Sequence, residues 1–552
     1  MKRILTLILV ASFAVACTAQ PYNTTVKSID SPEGTTITGV VYCGDKPVSG
    51  VAVSDGRNIV ETDANGIYHL ASQKEFGVVF ISKPSGYETV MKDAVRPAFW
   101  ASTTASSSEC ERHDFELKKV DESRFALMMC ADTHLINDEA VSDLKNFEQL
   151  CLPSFHKAVE HCGDIPIYTI GLGDITWDRY WYKTGFSIES VPTYFGKIGF
   201  PTPFLTIMGN HDNDPSVANS PTVDIEASKR YRAVFGPNYY SMNMGDVHIV
   251  LLDNVVYKNE VKPNQKVAAG VVGSRNYDLY VDAEQLAWLR ADLAKVERTT
   301  PLVVCMHAPL FTRNSDGEQV FGFMEGKGEE LVELLKDFES VRIFSGHKHQ
   351  NICHTHPDYP NITECNVTAI AGDLWKTPSV CGRNIGEDGG EAGFYCCTFE
   401  GEKFSKIWYS AEGGGSAPFR VYDMKVVGKK YRESEQLQHL CSLHPNQTNY
   451  GDPAYADYIY INCYVWEEGC ELKVRDLKTG EWLAVEQVSD SDPMAAEVCF
   501  APAQASKTKM SKKVNSLSRN YHMFRAKLAH LSYSVVLTTP YDGCKYEWRV
   551  ME

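Results

Sequence analysis

The chain changes its hydrophobic rhythm three times, and those changes divide it. Residues 18–33 are polar with no apolar period and read as a tether. Short alternating runs follow, Ile37-Thr-Gly-Val-Val-Tyr42, Val51-Ala-Val53 and Ile67-Tyr-His-Leu70, set between Gly44-Asp-Lys-Pro47, Ser54-Asp-Gly56 and Asp63-Ala-Asn-Gly66. Asp-Gly and Asn-Gly tolerate positive φ and close hairpins, so residues 34–119 are predicted to form a small β-sandwich. Between residues 120 and 412, apolar runs at 125–130, 165–170, 204–208, 301–306 and 341–344 predict buried strands. Residues 140–152, 282–293 and 329–335 space their apolar side chains three and four apart, as helices do. That alternation predicts a layered α/β domain. Beyond it the helical signal fades, Tyr458-Ile-Tyr-Ile-Asn-Cys-Tyr-Val-Trp466 and Tyr533-Ser-Val-Val-Leu537 read as strands, and residues 413–552 form a β-rich third domain.

A chain of 552 residues is too long for one core, and 43% hydrophobic with 23% charged residues is the composition of a folded protein. The formal charge of −17 opposes tight nonspecific binding to nucleic acid, which needs Lys and Arg against phosphate. It leaves a small phosphorylated ligand open, because bound metal ions reverse the local sign. Met1-Lys2-Arg3, the apolar run Ile4-Leu-Thr-Leu-Ile-Leu-Val10 and Ala14-Val-Ala-Cys17 have the three regions of a secretory signal. Residues 1–17 are therefore read as a leader of lipoprotein type, Cys17 as the lipidated residue, and the protein as exported to the periplasm or cell surface. An unmodified product cut after Ala-x-Ala is the alternative. Of the 17 cysteines, Cys130 and Cys305 lie inside apolar strands as buried thiols, while Cys353, Cys365, Cys381, Cys396 and Cys397 gather where one or two bridges are expected. Lys507, Lys509, Lys512, Lys513 and Arg519 form a basic run read as a solvated loop.

The candidate chemistry lies where the middle domain's strands end. Asp132-Thr-His134, Gly173-Asp174, Gly209-Asn-His-Asp212, His307 and Gly346-His-Lys-His349 follow the five apolar runs in order. Imidazole and carboxylate in this number suit two ions such as Mn, Zn, Fe or Ni, and the absence of Cys among them argues against a structural zinc. Each stretch alone is weak; their order and placement together are specific.

Over residues 123 to 410 these stretches resemble the calcineurin-like metallophosphoesterase superfamily, whose pattern is Asp-x-His, Gly-Asp, Gly-Asn-His-Asp or -Glu, His, then Gly-His-x-His. The resemblance implies a four-layer αββα sandwich, flanked here by the N-terminal β-sandwich and the C-terminal β-rich domain. It implies that Asp132, His134, Asp174 and His349 hold one metal, with Asp174 bridging to a second held by Asn210, His307 and His347. A hydroxide shared by the ions would attack phosphorus. His211 would protonate the leaving oxygen, and Asp212 would orient His211. The N-terminal module resembles carboxypeptidase-regulatory or transthyretin-like β domains, which serve as spacers or docking surfaces. Trp177 stands where purple acid phosphatases carry Tyr, three residues after the bridging Asp, so no tyrosinate-to-iron colour is expected. The glycines flanking the phosphoprotein phosphatase motifs are also absent. Tyr180, Trp375 and Arg383 are candidate substrate contacts, Arg383 as a phosphate clamp; His354 and His356 are read as surface residues. A phosphomonoesterase or phosphodiesterase is the leading expectation. The rival is a surface binding protein with a vestigial metal site whose β domains contact glycans or protein partners.

Overall fold

The computed structural model describes residues 20–551 apart from 265–267, 315, 412–417, 445–448, 503–519 and 541–544. The leader with Cys17 and the basic run from Lys507 to Arg519 lie outside the described residues.

Two sheets packed face to face form the middle of the molecule. One orders its strands Phe204–Thr206, Ile167–Gly171, Arg124–Cys130, Gly393–Glu400 and Lys403–Ala411. The other runs Tyr240–Met244, Val247–Leu252, Leu302–Met306, Val341–Ser345, Ile362–Asn366 and Ile352–Thr355. Parallel pairing joins Phe204–Thr206, Ile167–Gly171 and Arg124–Cys130 in the first sheet, and the four strands from Val247–Leu252 to Ile362–Asn366 in the second. These strands are buried on both faces, which is why they read as unbroken apolar runs. In Arg124–Cys130, Leu127 and Met129 join Ile249, Val304 and Ile343 in the core between the sheets. Ala126, Met128 and Cys130 alternate to the outer face, against Phe155 of helix Leu152–Cys162 and Phe195 of helix Val191–Ile198. Helices Ala283–Leu293 and Lys327–Leu335 supply Trp288, Leu289, Leu331 and Leu335 to the second sheet. The result is a four-layer αββα sandwich. All the parallel strands leave it at one rim, and the candidate ligands follow them there.

The flanking domains are less separate than the sequence suggests. The N-terminal module pairs a six-stranded with a four-stranded sheet, as expected of a sandwich. Its core is continuous with that of the middle domain, however: Trp288 packs on Phe80 and donates to Ser54 Oγ at 3.1 Å, and Tyr239 Oη donates to Gly56 O at 2.6 Å. The expected tether is also partly ordered. Tyr22–Thr25 is a helical turn whose Tyr22 N–H reaches Gly44 O at 2.8 Å, while Arg112 Nη1 donates to Val26 O at 2.6 Å, so residues 22–26 lie on the sandwich.

The C-terminal domain holds two four-stranded sheets and, against expectation, two consecutive helices, Met424–Glu433 and Glu435–Leu443. Asp423 and Ser434 cap them with side-chain acceptors. Their buried residues are few, Met424, Gly428, Tyr431, Leu437 and Leu440 among mostly charged and polar neighbours, so their apolar stripe is thin in sequence. One of the expected disulfides is present, Cys353–Cys365. Cys381, Cys396 and Cys397 are free, as are buried Cys130 and Cys305. His354 and His356 are buried, not on the surface: they lie against Phe311 in a side cluster that includes Gln319 and Tyr359.

Because Trp288 fills the joint between the two cores, Trp288→Ala is expected to destabilise the protein by about 3–5 kcal/mol. Calorimetry should show the N-terminal and middle domains still melting in one transition, shifted down; a separate N-terminal transition in the wild type would contradict the shared core.

Candidate metal centre

Each ligand stretch begins where a strand stops, and the backbone there turns sharply. Asp132, His134, Asp174, His347 and His349 adopt φ of 55°, 43°, 50°, 69° and 54°. This left-handed region costs a residue with a side chain on the order of 1–3 kcal/mol, and persists only where the surroundings dictate it. Here they do. Asp132 N–H donates to Gly173 O, His134 N–H to Asp174 O and Ala371 N–H to Asp132 O, at 3.0 to 3.1 Å. Two glycines make room for the convergence. A Cβ on Gly209 would lie 2.2 Å from Asp174 Oδ1, and one on Gly346 would lie 2.6 Å from Asp132 Oδ2.

The side chains gather into two groups that share a carboxylate. His134 Nε2 and His349 Nε2 stand 3.1 Å apart, with Asp132 Oδ1 3.8 and 3.4 Å from them. His307 Nε2 is 3.1 Å from both His347 Nδ1 and Asn210 Oδ1. Asp174 Oδ2 lies between the groups, 3.7 Å from His134 Nε2 and 3.5 Å from His307 Nε2. Its other oxygen is occupied, accepting from His211 N–H at 2.7 Å. All seven expected ligands are therefore brought together, in the expected two sets.

Pairs of imidazole nitrogens 3.1 Å apart and ringed by carboxylate oxygens need a proton or a cation between them, and this mixed nitrogen and oxygen donor set suits two borderline ions. Outer contacts fix the donors. His307 Nδ1 lies 2.8 Å from Leu172 O, which leaves Nε2 for a metal, and Asp132 Oδ2 accepts from His347 N–H at 2.8 Å. Burial, then the positive charge of neighbouring histidines, drives His134 and His347 well below the ordinary imidazole range, so both are neutral and ready to ligate.

At the mouth stands His211, about one-fifth exposed. Its Nδ1 is 2.8 Å from Asp178 Oδ1, not from Asp212. Asp212 is fully buried and turned inward: its oxygens accept from Ile175 N–H, Thr176 N–H and Gly209 N–H at 2.9 to 3.3 Å, binding the Gly209–Asp212 turn to the strand end that carries Asp174. Burial, then the nearby Asp174, raises its carboxyl to about 7. For His211, burial lowers the imidazole, but Asp174 and Asp178 outweigh it and the net shift is upward. The role expected of Asp212 thus falls to Asp178, four residues after Asp174 in the turn Asp178–Tyr180.

Arg275, which no motif announces, reaches the same point from a distant loop: its Nη1 donates to Asp178 Oδ1 at 2.7 Å and lies 3.2 Å from His211 Nδ1. Trp177 and Tyr277 complete the rim, their rings 5.7 Å from His134 and 5.9 Å from His347. Two of the three expected substrate contacts are engaged elsewhere. Trp375 is buried and donates to Thr133 O at 2.9 Å, bracing the first ligand loop. Arg383 pairs with Glu391 at 2.8 Å, and Glu391 also holds Arg420 of the C-terminal domain. Tyr180 is half-buried and packs edge-on against the rim residue Trp177, 5.0 Å ring to ring.

Residues 125–351 match the calcineurin-like phosphoesterase model, residues 35–120 its N-terminal companion and residues 364–537 its C-terminal companion. The chain belongs to the calcineurin-like phosphoesterase family. It is similar to purple acid phosphatases 23 and 22 of Arabidopsis thaliana, 31% identical over 158 residues and 29% over 171. These matches take in 27% and 28% of this chain, and 28% and 33% of those proteins, so the chain spans roughly a third of the relatives' length or less. A dimetal phosphatase from Danio rerio superposes with a TM-score of 0.34 at 13% identity, covering 52% of this chain and 98% of that one. A putative 5'-nucleotidase from Staphylococcus aureus gives 0.30 at 12%, over 52% and 53%. The family's C-terminal match begins at residue 364, inside strand Ile362–Asn366 of the second sheet, so it includes strands that the fold assigns to the central sandwich.

Gly209→Ala is expected to bring less than two equivalents of metal into the protein, measured by elemental analysis, because the added methyl displaces Asp174. Asp178→Asn and Asp212→Asn should separate the two carboxylates. The first alters the His211 titration followed by NMR, because it removes the charge that His211 Nδ1 and Arg275 share; the second lowers the melting temperature by several degrees with the Asp178–His211 contact retained.

Proposed function

We propose that this protein hydrolyses phosphomonoesters or phosphodiesters at a two-metal centre held by Asp132, His134, Asp174, His349, Asn210, His307 and His347. The observation that carries this reading is Asp174 Oδ2 set between two groups of imidazole nitrogens, with a raised-pKa histidine at the open side. Two ions bound there would supply a nucleophilic water at neutral pH and offset charge on phosphoryl oxygens. The chain's own residues account for the remainder. Asp178 holds His211 by Nδ1 and, after Asp174, raises its basicity, leaving Nε2 to donate a proton to the departing oxygen. Arg275 steadies Asp178 and places a fixed positive charge beside the site, where it can pair with a non-bridging phosphoryl oxygen. Trp177 and Tyr277 give the rim two aromatic faces for the alcohol portion of the ester.

We also place the enzyme outside the cytoplasm, anchored through Cys17. The basic, apolar and small-residue order of residues 1–17 supports this, as does a disulfide at Cys353–Cys365. Among the described residues no helix is long and apolar enough to cross a membrane.

Protein loaded with Mn or Zn should cleave p-nitrophenyl phosphate or its bis ester. His211→Ala should lower turnover about 10²–10⁴-fold with both metals retained. Asp174→Ala should lose metal and activity together, and Arg275→Ala should raise KM more than it lowers kcat. Wild-type turnover in either of the first two variants would end the proposal. In a bacterial host, Cys17→Ala should move the protein from the membrane to the soluble exported fraction.

A further inference from the structure

The Cys353–Cys365 bridge lies across two neighbouring strands of the second sheet, facing residues of the antiparallel pair Ile352–Thr355 and Ile362–Asn366 with Cα atoms 4.3 Å apart. Its two sulfurs have different surroundings. Cys365 is completely buried, and Arg342 Nη2 donates to its Sγ at 3.0 Å while also donating to Glu467 Oε2 at 2.8 Å. Cys353 instead lines a cavity of about 320 Å³ between the edge strand and the C-terminal domain, with Trp466, Tyr521 and His522 on its far side. One sulfur thus belongs to a residue lining the cavity, and the other accepts a hydrogen bond from a guanidinium at 3.0 Å, closer than the 4.8 Å within which the Glu467 carboxylate, that guanidinium's other partner, lies of both sulfurs.

That asymmetry is what thiol–disulfide exchange requires: an accessible sulfur to attack and a stabilised thiolate to leave. We propose that Cys353–Cys365 is a thiol-exchange site, opened by a small thiol or dithiol that attacks Cys353 from the cavity. The incoming thiolate forms a bond to Cys353 Sγ, the Cys353–Cys365 bond breaks, and its electron pair leaves on Cys365 Sγ beside Arg342. The second thiol of a dithiol then attacks its own linked sulfur, releasing Cys353 and closing the reagent as a cyclic disulfide. Two electrons pass to the protein, and the two protons come from the reagent's thiols.

The bridge is also connected to the metal centre. The strand holding Cys365 continues into the segment that grips the last ligand loop: Val367 N–H donates to Ser345 O at 2.7 Å, the Asn366 amide bonds Gly346 O, and Thr368 Oγ1 donates to His349 O at 3.1 Å. The strand holding Cys353 begins three residues after His349 and forms the edge of its sheet. Opening the bridge removes the one covalent link between that edge strand and its neighbour, leaving ladder hydrogen bonds and the contacts with Gln319 to hold it, and so loosens His349. This consequence rests on the two-metal reading above; the exchange chemistry does not.

Two single-cysteine variants in the full chain test the chemistry. With oxidised glutathione, Cys365→Ser protein should form a mixed disulfide on the peptide containing Cys353, while Cys353→Ser protein should leave Cys365 unmodified, both read by peptide mass mapping. In the wild type, reduced glutathione should be trapped on Cys353 and not on Cys365, and Arg342→Met should slow that trapping at least tenfold. Equal labelling of the two cysteines, or labelling of Cys365 alone, overturns the assignment even if Arg342→Met fails to fold. For the coupling, Zn-loaded Cys353→Ser protein should release metal to a chelator several-fold faster than the oxidised wild type. Equal release rates overturn the link to His349 and leave the labelling result to be judged by itself.

Discussion

The structure depends on holding ionisable side chains together where water cannot reach most of them. Asp132, Asp174 and His307 are buried almost completely. Burial pushes Asp174 upward and His134 and His347 downward, each toward its neutral form. Left to itself such a cluster would disperse, since an unpaired buried charge costs several kcal/mol. Two cations bound there would reverse that balance. What the protein must supply is rigidity, and it does so by setting the ligands at the ends of strands buried on both faces. The left-handed turns that follow are locked by backbone hydrogen bonds from neighbouring loops, so the strain at five ligands is balanced by the sandwich behind them.

This arrangement explains what was legible in the sequence and what was not. Candidate ligands of this kind sit beside long apolar strands, so motif and strand appear together, and the convergence of these seven residues was readable along with the central fold. Asp178 was visible as a residue but not as a partner, because its role depends on how far the Asp178–Tyr180 turn swings toward His211. Asp212, adjacent in sequence to His211, was the natural choice; the tight turn carries its side chain inward to three backbone N–H groups instead. Arg275 lies 64 residues from His211, and nothing local marks it. The errors over Trp375 and Arg383 share one cause: nearness along the chain to a ligand loop is a poor guide to which side of that loop a residue packs on.

The flanking domains obey a related rule. Their strands were recognisable from alternation and turn residues, but their docking was not, since the contacts at Trp288, Tyr239 and Arg420 join residues far apart in sequence. The helices Met424–Glu433 and Glu435–Leu443 escaped for a different reason. A helix that buries only two or three residues against a domain surface carries little periodic signal.

The glycine-rich loop after Arg383 shows how these levels connect. Asp388 Oδ2 accepts from Asn351 N–H at 3.0 Å, two residues beyond His349. Its backbone carbonyl accepts from Asn462 Nδ2 and Asn520 Nδ2 at 2.8 and 2.7 Å, both from the C-terminal domain. Gly389 permits this approach, because a Cβ there would meet the Asp492 carboxylate at 1.9 Å. Asp388 therefore bolts the third domain to the last metal-ligand loop through one residue. The disulfide restrains the same loop from its strand and Trp375 restrains the loop of Asp132 and His134 from behind, so the metal centre is braced from more than one side by elements that never touch a ligand side chain. A module that merely tethered the enzyme would need none of these bonds. Their presence makes the C-terminal domain part of the apparatus that keeps His347 and His349 in their strained positions.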